Sequence, residues 1–213
     1  MKRRSAIGLI FGFGLFGFST LANAENLQGA QLQSTIARAN SAINSLSRLQ
    51  GRFIQTNPNN STSTGQFWLS RPGKMRFQYE APNPLLVVSD GSDVIIRDTR
   101  LRTTERYPLR STPLYFLLKQ SLNLSNEVNV VSGDNSNVKT ILVIRDRRRE
   151  AQGELRVVFS ANMELEEWAI KDRQNRITRV QLVEKRVVSA AFDRSLFIIP
   201  NSNPRGGSPK AGF

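Results

Sequence analysis

The chain has 213 residues, a formal net charge of +13, and neither cysteine nor histidine. Without cysteine it forms no disulfide, offers no thiolate ligand and has no N-terminal Cys on which to carry a lipid. Without histidine it lacks the commonest general base and metal ligand, which excludes a Ser-His-Asp triad and histidine zinc sites.

Lys2, Arg3 and Arg4 precede an apolar stretch from Ala6 to Leu21, and Ala22-Asn23-Ala24 then supplies a small-x-small cleavage pattern. This order predicts a cleavable export signal over residues 1–24 rather than an anchor. The apolar stretch is also shorter than the ~20 residues that cross a bilayer. The rest is expected to fold as one soluble domain over residues 25–200, with a flexible tail over 201–213 rich in Pro, Gly, Ser and Asn. Removing Lys2, Arg3 and Arg4 takes the formal charge from +13 to +10. Behind an export signal, such a charge points to anionic membrane surfaces or acidic protein patches instead of nucleic acid. Much of it belongs to a solvated face, as in the run Arg145-Asp146-Arg147-Arg148-Arg149, which reads as a hairpin tip.

The first predicted element of the domain is a helix. Leu32, Ile36, Ala39, Ile43 and Leu46 fall on a three-to-four spacing, so one face must lie on something apolar. Gly51 is expected to close it. Strands follow from Arg52 onward. They are predicted at Gly65–Leu69, Lys74–Tyr79, Leu85–Ser89, Asp93–Asp98, Leu101–Tyr107, Glu127–Val131, Val138–Arg145, Glu154–Ser160, Leu165–Lys171, Ile177–Glu184 and Leu196–Ile199. Arg71-Pro72-Gly73 and Asp90-Gly91 mark two of the turns. The recurrence predicts a mainly β (α+β) fold with one large antiparallel sheet, not βαβ units.

One segment interrupts the strands. Thr112-Pro113 reads as a helix start, with Thr as cap and Pro at the first helical position. Leu114-Tyr115-Phe116-Leu117-Leu118 is then apolar on every side. Such a helix is either buried under another element or plugs a cavity and can move. Together with the first helix it is placed to cover one face of a strongly curved sheet.

Within Lys74–Tyr79, Met75, Phe77 and Tyr79 share one face, opposite Arg76 and Gln78. That face is either cavity lining or ordinary core. Glu164, Glu166 and Glu167 form the densest carboxylate cluster and are the one enzymatic alternative, in a pattern that more often sits in solvent. No P-loop is present, because Gly73-Lys74 is followed by Met75. Any energy the protein uses has to come from a partner.

Gly51-Arg52-Phe53-Ile54-Gln55, the run from Gly65 to Phe77, Tyr79, Pro82, Val87-Val88-Ser89-Asp90-Gly91 and Thr112-Pro113-Leu114 occur in an order and spacing that resembles the LolA family of periplasmic lipoprotein carriers. The likeness runs from about Leu32 to Pro200. It implies a single curved antiparallel sheet forming an incomplete barrel, covered by the N-terminal helix and short lid helices over an apolar cavity. The implied lining is Phe67, Leu69, Met75, Phe77, Tyr79 and Val88. The implied lid is Pro113, Leu114, Phe116, Leu117 and Leu118, and Arg71 matches the arginine that bonds lid backbone and holds the cavity shut. The resemblance further implies a monomeric carrier that catalyses nothing and uses no cofactor or metal. Its partners would be acylated lipoproteins, an inner-membrane ABC lipoprotein-releasing transporter, and an outer-membrane acceptor or anionic membrane surface, with no nucleic acid. The family's acceptor is itself lipidated, so the missing Cys favours carrier over acceptor. The remaining alternative is a half-barrel module that senses lipid or lipoprotein.

Overall fold

The structure, a computed structural model, describes residues 29–199; the predicted export signal and tail lie outside them. Helix α1 spans Gly29–Ser45 and buries Thr35, Ile36, Ala39 and Ile43, with Leu32 and Leu46 packed half-buried at its ends. This is the stripe its spacing predicts.

Six strands follow as a meander: β1 (Arg48–Thr56), β2 (Thr62–Ser70), β3 (Lys74–Tyr79), β4 (Leu85–Asp90), β5 (Asp93–Asp98) and β6 (Thr103–Pro108). Two short helices, α2 (Leu114–Leu118) and α3 (Leu124–Glu127), lead to a second meander. It comprises β7 (Val128–Asn135), β8 (Lys139–Asp146), β9 (Glu154–Ser160), β10 (Leu165–Lys171) and β11 (Ile177–Val187). The two meanders join through β1 and β11, giving one antiparallel sheet in the order β6-β5-β4-β3-β2-β1-β11-β10-β9-β8-β7. Strands β6 and β7 are its two edges and do not pair, so the barrel is incomplete. The chain from Leu109 to Glu127, which carries both short helices, links one edge to the other.

The inner face carries the core. Leu49 pairs with Leu69, Leu69 with Met75, and Phe67 with Phe77, so alternation along three neighbouring strands stacks large apolar side chains on one side. They join the buried faces of α1, α2 and α3 in a single cluster. Each large side chain so buried contributes roughly 1.5–3 kcal/mol over its exposed state. Among the described residues, no helix is long and apolar enough to cross a membrane.

Three expectations are corrected. Gly51 does not end a helix. It lies within β1 at a register shift against β11, where a Cβ would meet the carbonyl oxygens of Glu184 and Val183 at 2.8 Å. Close approach of two backbones, not helix termination, calls for glycine there. Leu196–Ile199 is not a strand. Arg194–Phe197 forms a 3-10 turn started by Asp193, whose side chain accepts from the Ser195 N–H. This C-terminal stretch crosses the outer face, where Phe197 and Ile199 bury against Val88 and Ile95. Arg76 Nη1 donates to the Leu196 carbonyl at 3.0 Å and fixes it there. Finally, Thr112 does not cap α2. Its hydroxyl donates backward to the Leu109 carbonyl at 2.8 Å, while Pro113 has helical dihedrals and flanks the helix.

Candidate functional site

The turn between β2 and β3 is bonded to the C-terminal end of α2, the helix expected to form the lid. Gly73 N–H donates to the Leu118 carbonyl at 2.7 Å, and Arg71 Nε donates to the next carbonyl, that of Lys119, at 3.1 Å. Arg71 Nη2 also donates to the Lys119 carbonyl, and Nη1 reaches the carbonyl of Leu46, just beyond α1, at 3.4 Å. The last carbonyls of a helix have no partner within it, and a planar fork of five donors suits several at once. Partial burial lowers the Arg71 pKa from its ordinary value, yet a guanidinium starts so high that it stays charged. Ser89 Oγ donates to the Gly73 carbonyl at 2.6 Å and holds the clamp from behind.

Helix α1 grips the segment after α2. Asn44 Oδ1 accepts from Leu122 N–H at 2.9 Å while its Nδ2 donates to the Leu122 carbonyl at 2.8 Å. Asn40 Oδ1 accepts from Leu124 N–H at 3.0 Å. Lys119 pairs with Glu127, bridging the ends of α2 and α3. Burial pushes the Glu127 pKa up, but bonds from Lys119 and the Asn123 N–H pull it down further, leaving it below its ordinary value.

Beneath the clamp lies an apolar seam. Phe67, Leu69, Met75 and Phe77 from the sheet and Leu114, Phe116, Leu117 and Leu118 from α2 belong to one buried cluster, with Tyr79 half-buried at its edge. Of the two fates open to the apolar helix, burial is what the structure shows: Leu117 and Leu118 are 0 % exposed. Aromatic rings dominate the floor. Phe53 meets Phe77 at 4.7 Å and Tyr79 at 5.0 Å edge-on, and Trp168 meets Phe77 at 5.5 Å. Tyr79 donates to Gln55 Oε1 at 2.6 Å, and burial pushes its phenol up to about 12 although that bond acts the other way. The seam is filled by its own side chains in this conformation. A hollow of about 510 Å³ adjoins the lid outside it, bounded by Gly73, Gly91, Leu109, Tyr115 and Lys119.

The structure therefore brings together Arg71, five of the six expected lining residues and the four apolar lid residues. Val88 is the exception. It pairs with Arg76 and packs on the outer face with Ile95 and Phe197. The inner position on β4 belongs to Val87, opposite Phe77. Phe53, Trp168, Asn40 and Asn44 are site residues that the sequence reading did not single out. Phe53 was within reach, as the one aromatic of the Gly51–Gln55 run and alternating in phase with Leu49 on β1. The carboxylate cluster does not converge. Glu164 pairs with Lys185, Glu166 with Lys139, and Glu167 with Arg156 and Arg179.

The structure is an open antiparallel sheet with a short apolar helix bonded over its inner face. The family described as "Outer membrane lipoprotein carrier protein LolA" matches residues 44–200. The chain belongs to the LolA family, whose members are periplasmic carriers rather than enzymes.

Curated relatives include an outer-membrane lipoprotein carrier protein of Alkalilimnicola ehrlichii, 40% identical over 58 residues, which is 25% of this chain and 27% of the relative. A protein of the same name from Chromohalobacter salexigens is 47% identical over 45 residues, 21% of each chain. The matched stretches thus span about a quarter of these relatives or less. Among solved structures, a LolA superfamily protein of Nitrosomonas europaea aligns at TM-score 0.45 and 8% identity, covering 78% of this chain and 97% of that one. MucB aligns at TM-score 0.46 and 15% identity, covering 81% and 64%.

Proposed function

We infer that this protein is exported to the periplasm and accepts lipoproteins from an inner-membrane ABC transporter. It shields their acyl chains in the seam between α2 and the sheet, and delivers them to the outer membrane. Exposing an acyl chain of about fourteen methylenes to water costs on the order of 11 kcal/mol at ~0.8 per CH₂. An apolar seam offsets that cost with no nucleophile, acid–base pair or cofactor.

The observation that carries this reading is the Arg71 clamp. The lid contributes four buried apolar side chains to the core, yet its C-terminal end is tied to the sheet through polar bonds to one turn. Polar bonds exchange readily with water or a partner, so the lid can leave while the strands stay paired. Its departure uncovers Phe67, Leu69, Met75 and Phe77, and the cargo's methylenes replace the lid's own. Loading and release then become near-balanced exchanges of one apolar surface for another, driven from outside by the transporter.

The test uses the chain from Glu25, incubated with spheroplasts displaying a newly made outer-membrane-type lipoprotein. The lipoprotein is expected in the supernatant as a soluble one-to-one complex. No release, with the seam still able to bind an apolar dye, would replace the carrier role with that of a lipid-sensing module.

A further inference from the structure

The inner face of β1–β3 is apolar along most of its length and turns polar at one end. Phe53 and Gln55 share that face of β1, and Gln55 lies between Val180 of β11 and Ser63 of β2. Tyr79 donates to Gln55 Oε1 at 2.6 Å, and Gln55 Nε2 donates to Asn57 Oδ1 at 2.7 Å. Asn57 Nδ2 donates in turn to Ser61 Oγ at 2.9 Å. Tyr79, Gln55 and Asn57 are half-buried and Ser61 is exposed. A chain of neutral hydrogen-bonding groups thus leads from the aromatic floor of the seam to the surface. The Tyr79 phenol, pushed up to about 12 by burial, remains a neutral donor.

This polar end opens on a hollow. Asn57 and Ser63 bound a space of about 610 Å³ together with Pro82, Asn83 and Leu85. Asn83 Nδ2 donates to Ser63 Oγ at 3.0 Å, and Asn83 Oδ1 accepts from the Leu85 N–H at 3.1 Å. These bonds set the side chains before any ligand arrives, which lowers the entropy that binding must overcome. Glu80, Asp98 and Arg100 supply the charged part of the lining, with Glu80 taken up by Arg52 and Thr64.

From the hollow the inner face of β3 runs Tyr79, Phe77, Met75 toward Gly73, whose N–H bonds the Leu118 carbonyl. At ~3.3 Å per residue, Tyr79 to Met75 is a track of about 13 Å. Its two ends differ in chemistry. Leu69, Met75, Leu117 and Leu118 are buried and apolar near Gly73, which suits a chain's methyl end. At the other end the Tyr79 hydroxyl and the second N–H of the Gln55 amide can donate to a carbonyl. Neutral donors suit esters and amides, whereas a phosphate calls for cations. We propose that Tyr79 and Gln55 bind the ester carbonyls of the cargo's acyl chains, and that the hollow beside Asn57 and Asn83 receives the glyceryl group and the first peptide residues. This rests on the carrier reading and adds the direction in which the cargo lies.

The test compares dioctanoylglycerol with its dioctyl ether, which carries methylenes where the ester has carbonyls. Each is titrated against an apolar dye bound to the chain from Glu25, and the readout is the ratio of ester to ether affinity. Tyr79→Phe is expected to lower this ratio roughly two- to tenfold, the worth of one net hydrogen bond. Gln55→Leu is expected to lower it as well. A ratio unchanged in both variants would overturn the proposal and leave the carrier reading standing. Displacement of the dye by neither compound would overturn both. Dioctanoyl phosphatidylglycerol, with the same esters beside a phosphate, is expected to bind no more tightly than dioctanoylglycerol. Tighter binding would make a phospholipid the ligand and overturn the assignment to a lipoprotein. Because ester and ether meet the same variant, a general loosening of the fold cancels in the ratio.

Discussion

The carbonyl of Lys119 accepts from both Nε and Nη2 of Arg71, which ties the end of α2 to a turn far earlier in the chain. Removing the guanidinium leaves the carbonyls of Lys119 and Leu46 without this donor. An unpaired buried acceptor costs about 1–3 kcal/mol. Arg71→Leu is therefore expected to lower the melting temperature by roughly 2–12 °C, since about 2–4 °C follows each kcal/mol in a domain of this size. Amide exchange, by contrast, should accelerate selectively from Leu114 to Leu124, with the β1–β3 amides unchanged. Uniform acceleration across the sheet would contradict a local lock.

Asn44 shares this duty, because its side chain pairs both backbone groups of Leu122 and lies 3.4 Å from Arg71 Nη2. The two residues restrain one segment, so their removal should not be additive. The double variant Arg71→Leu/Asn44→Ala is expected to show a coupling of about 0.5–3 kcal/mol in denaturant unfolding. Simple additivity would mean that the two act on separate elements.

Acid should loosen the lid through Glu127. Its folded pKa lies below its ordinary value of 4.5, so the stability from its bonds to Lys119 and Asn123 is present above that value. That stability is lost as pH falls from about 4.5 through the lower folded pKa. Glu127→Gln is expected to flatten this part of the stability–pH curve while Asp172, also lowered, preserves the rest. Identical curves for the two proteins would remove the ion pair from the account.

The floor of the seam leaves no room for a side chain at Gly65. A Cβ there would lie 2.2 Å from the Gln78 carbonyl oxygen and 2.5 Å from the Phe53 ring. Gly65→Ala is expected to destabilise by roughly 1–3 kcal/mol, read as a lower denaturant midpoint at unchanged slope. A neutral effect would show that the Phe53 ring and β3 can retreat together.

Much of this framework is legible in the amino-acid sequence, and the failures have physical causes. The bounds of β3, β5, β9 and β10 coincide with the predicted runs, since alternation and flanking turn residues such as Asp90-Gly91 act locally. Gly51 misled because a glycine after a helical stripe looks the same whether it ends a helix or lets two strands approach. The helix ends at Ser45, and β1 has already begun at Arg48. Val88 was given to the wrong face because the sheet is buried on both sides at β4. The C-terminal stretch supplies the second side, and its docking is a long-range event. The same stretch, short and apolar, looks like a strand until Asp193 caps its turn. The family motif pointed to Arg71, whose donors reach the Lys119 carbonyl just after α2. The Asn40 and Asn44 contacts were not, since polar residues beside a helical stripe ordinarily face water.

The most direct test of the account compares one lipopeptide with and without its acyl chains, titrated into the chain from Glu25. Amide exchange is followed across Leu114–Leu124. The acylated form is expected to bind one-to-one and to deprotect those amides while the strands stay protected, and the bare peptide is expected to do neither. Equal binding of both forms, or acyl binding that leaves the lid amides untouched, would contradict a carrier that opens at the Arg71 clamp.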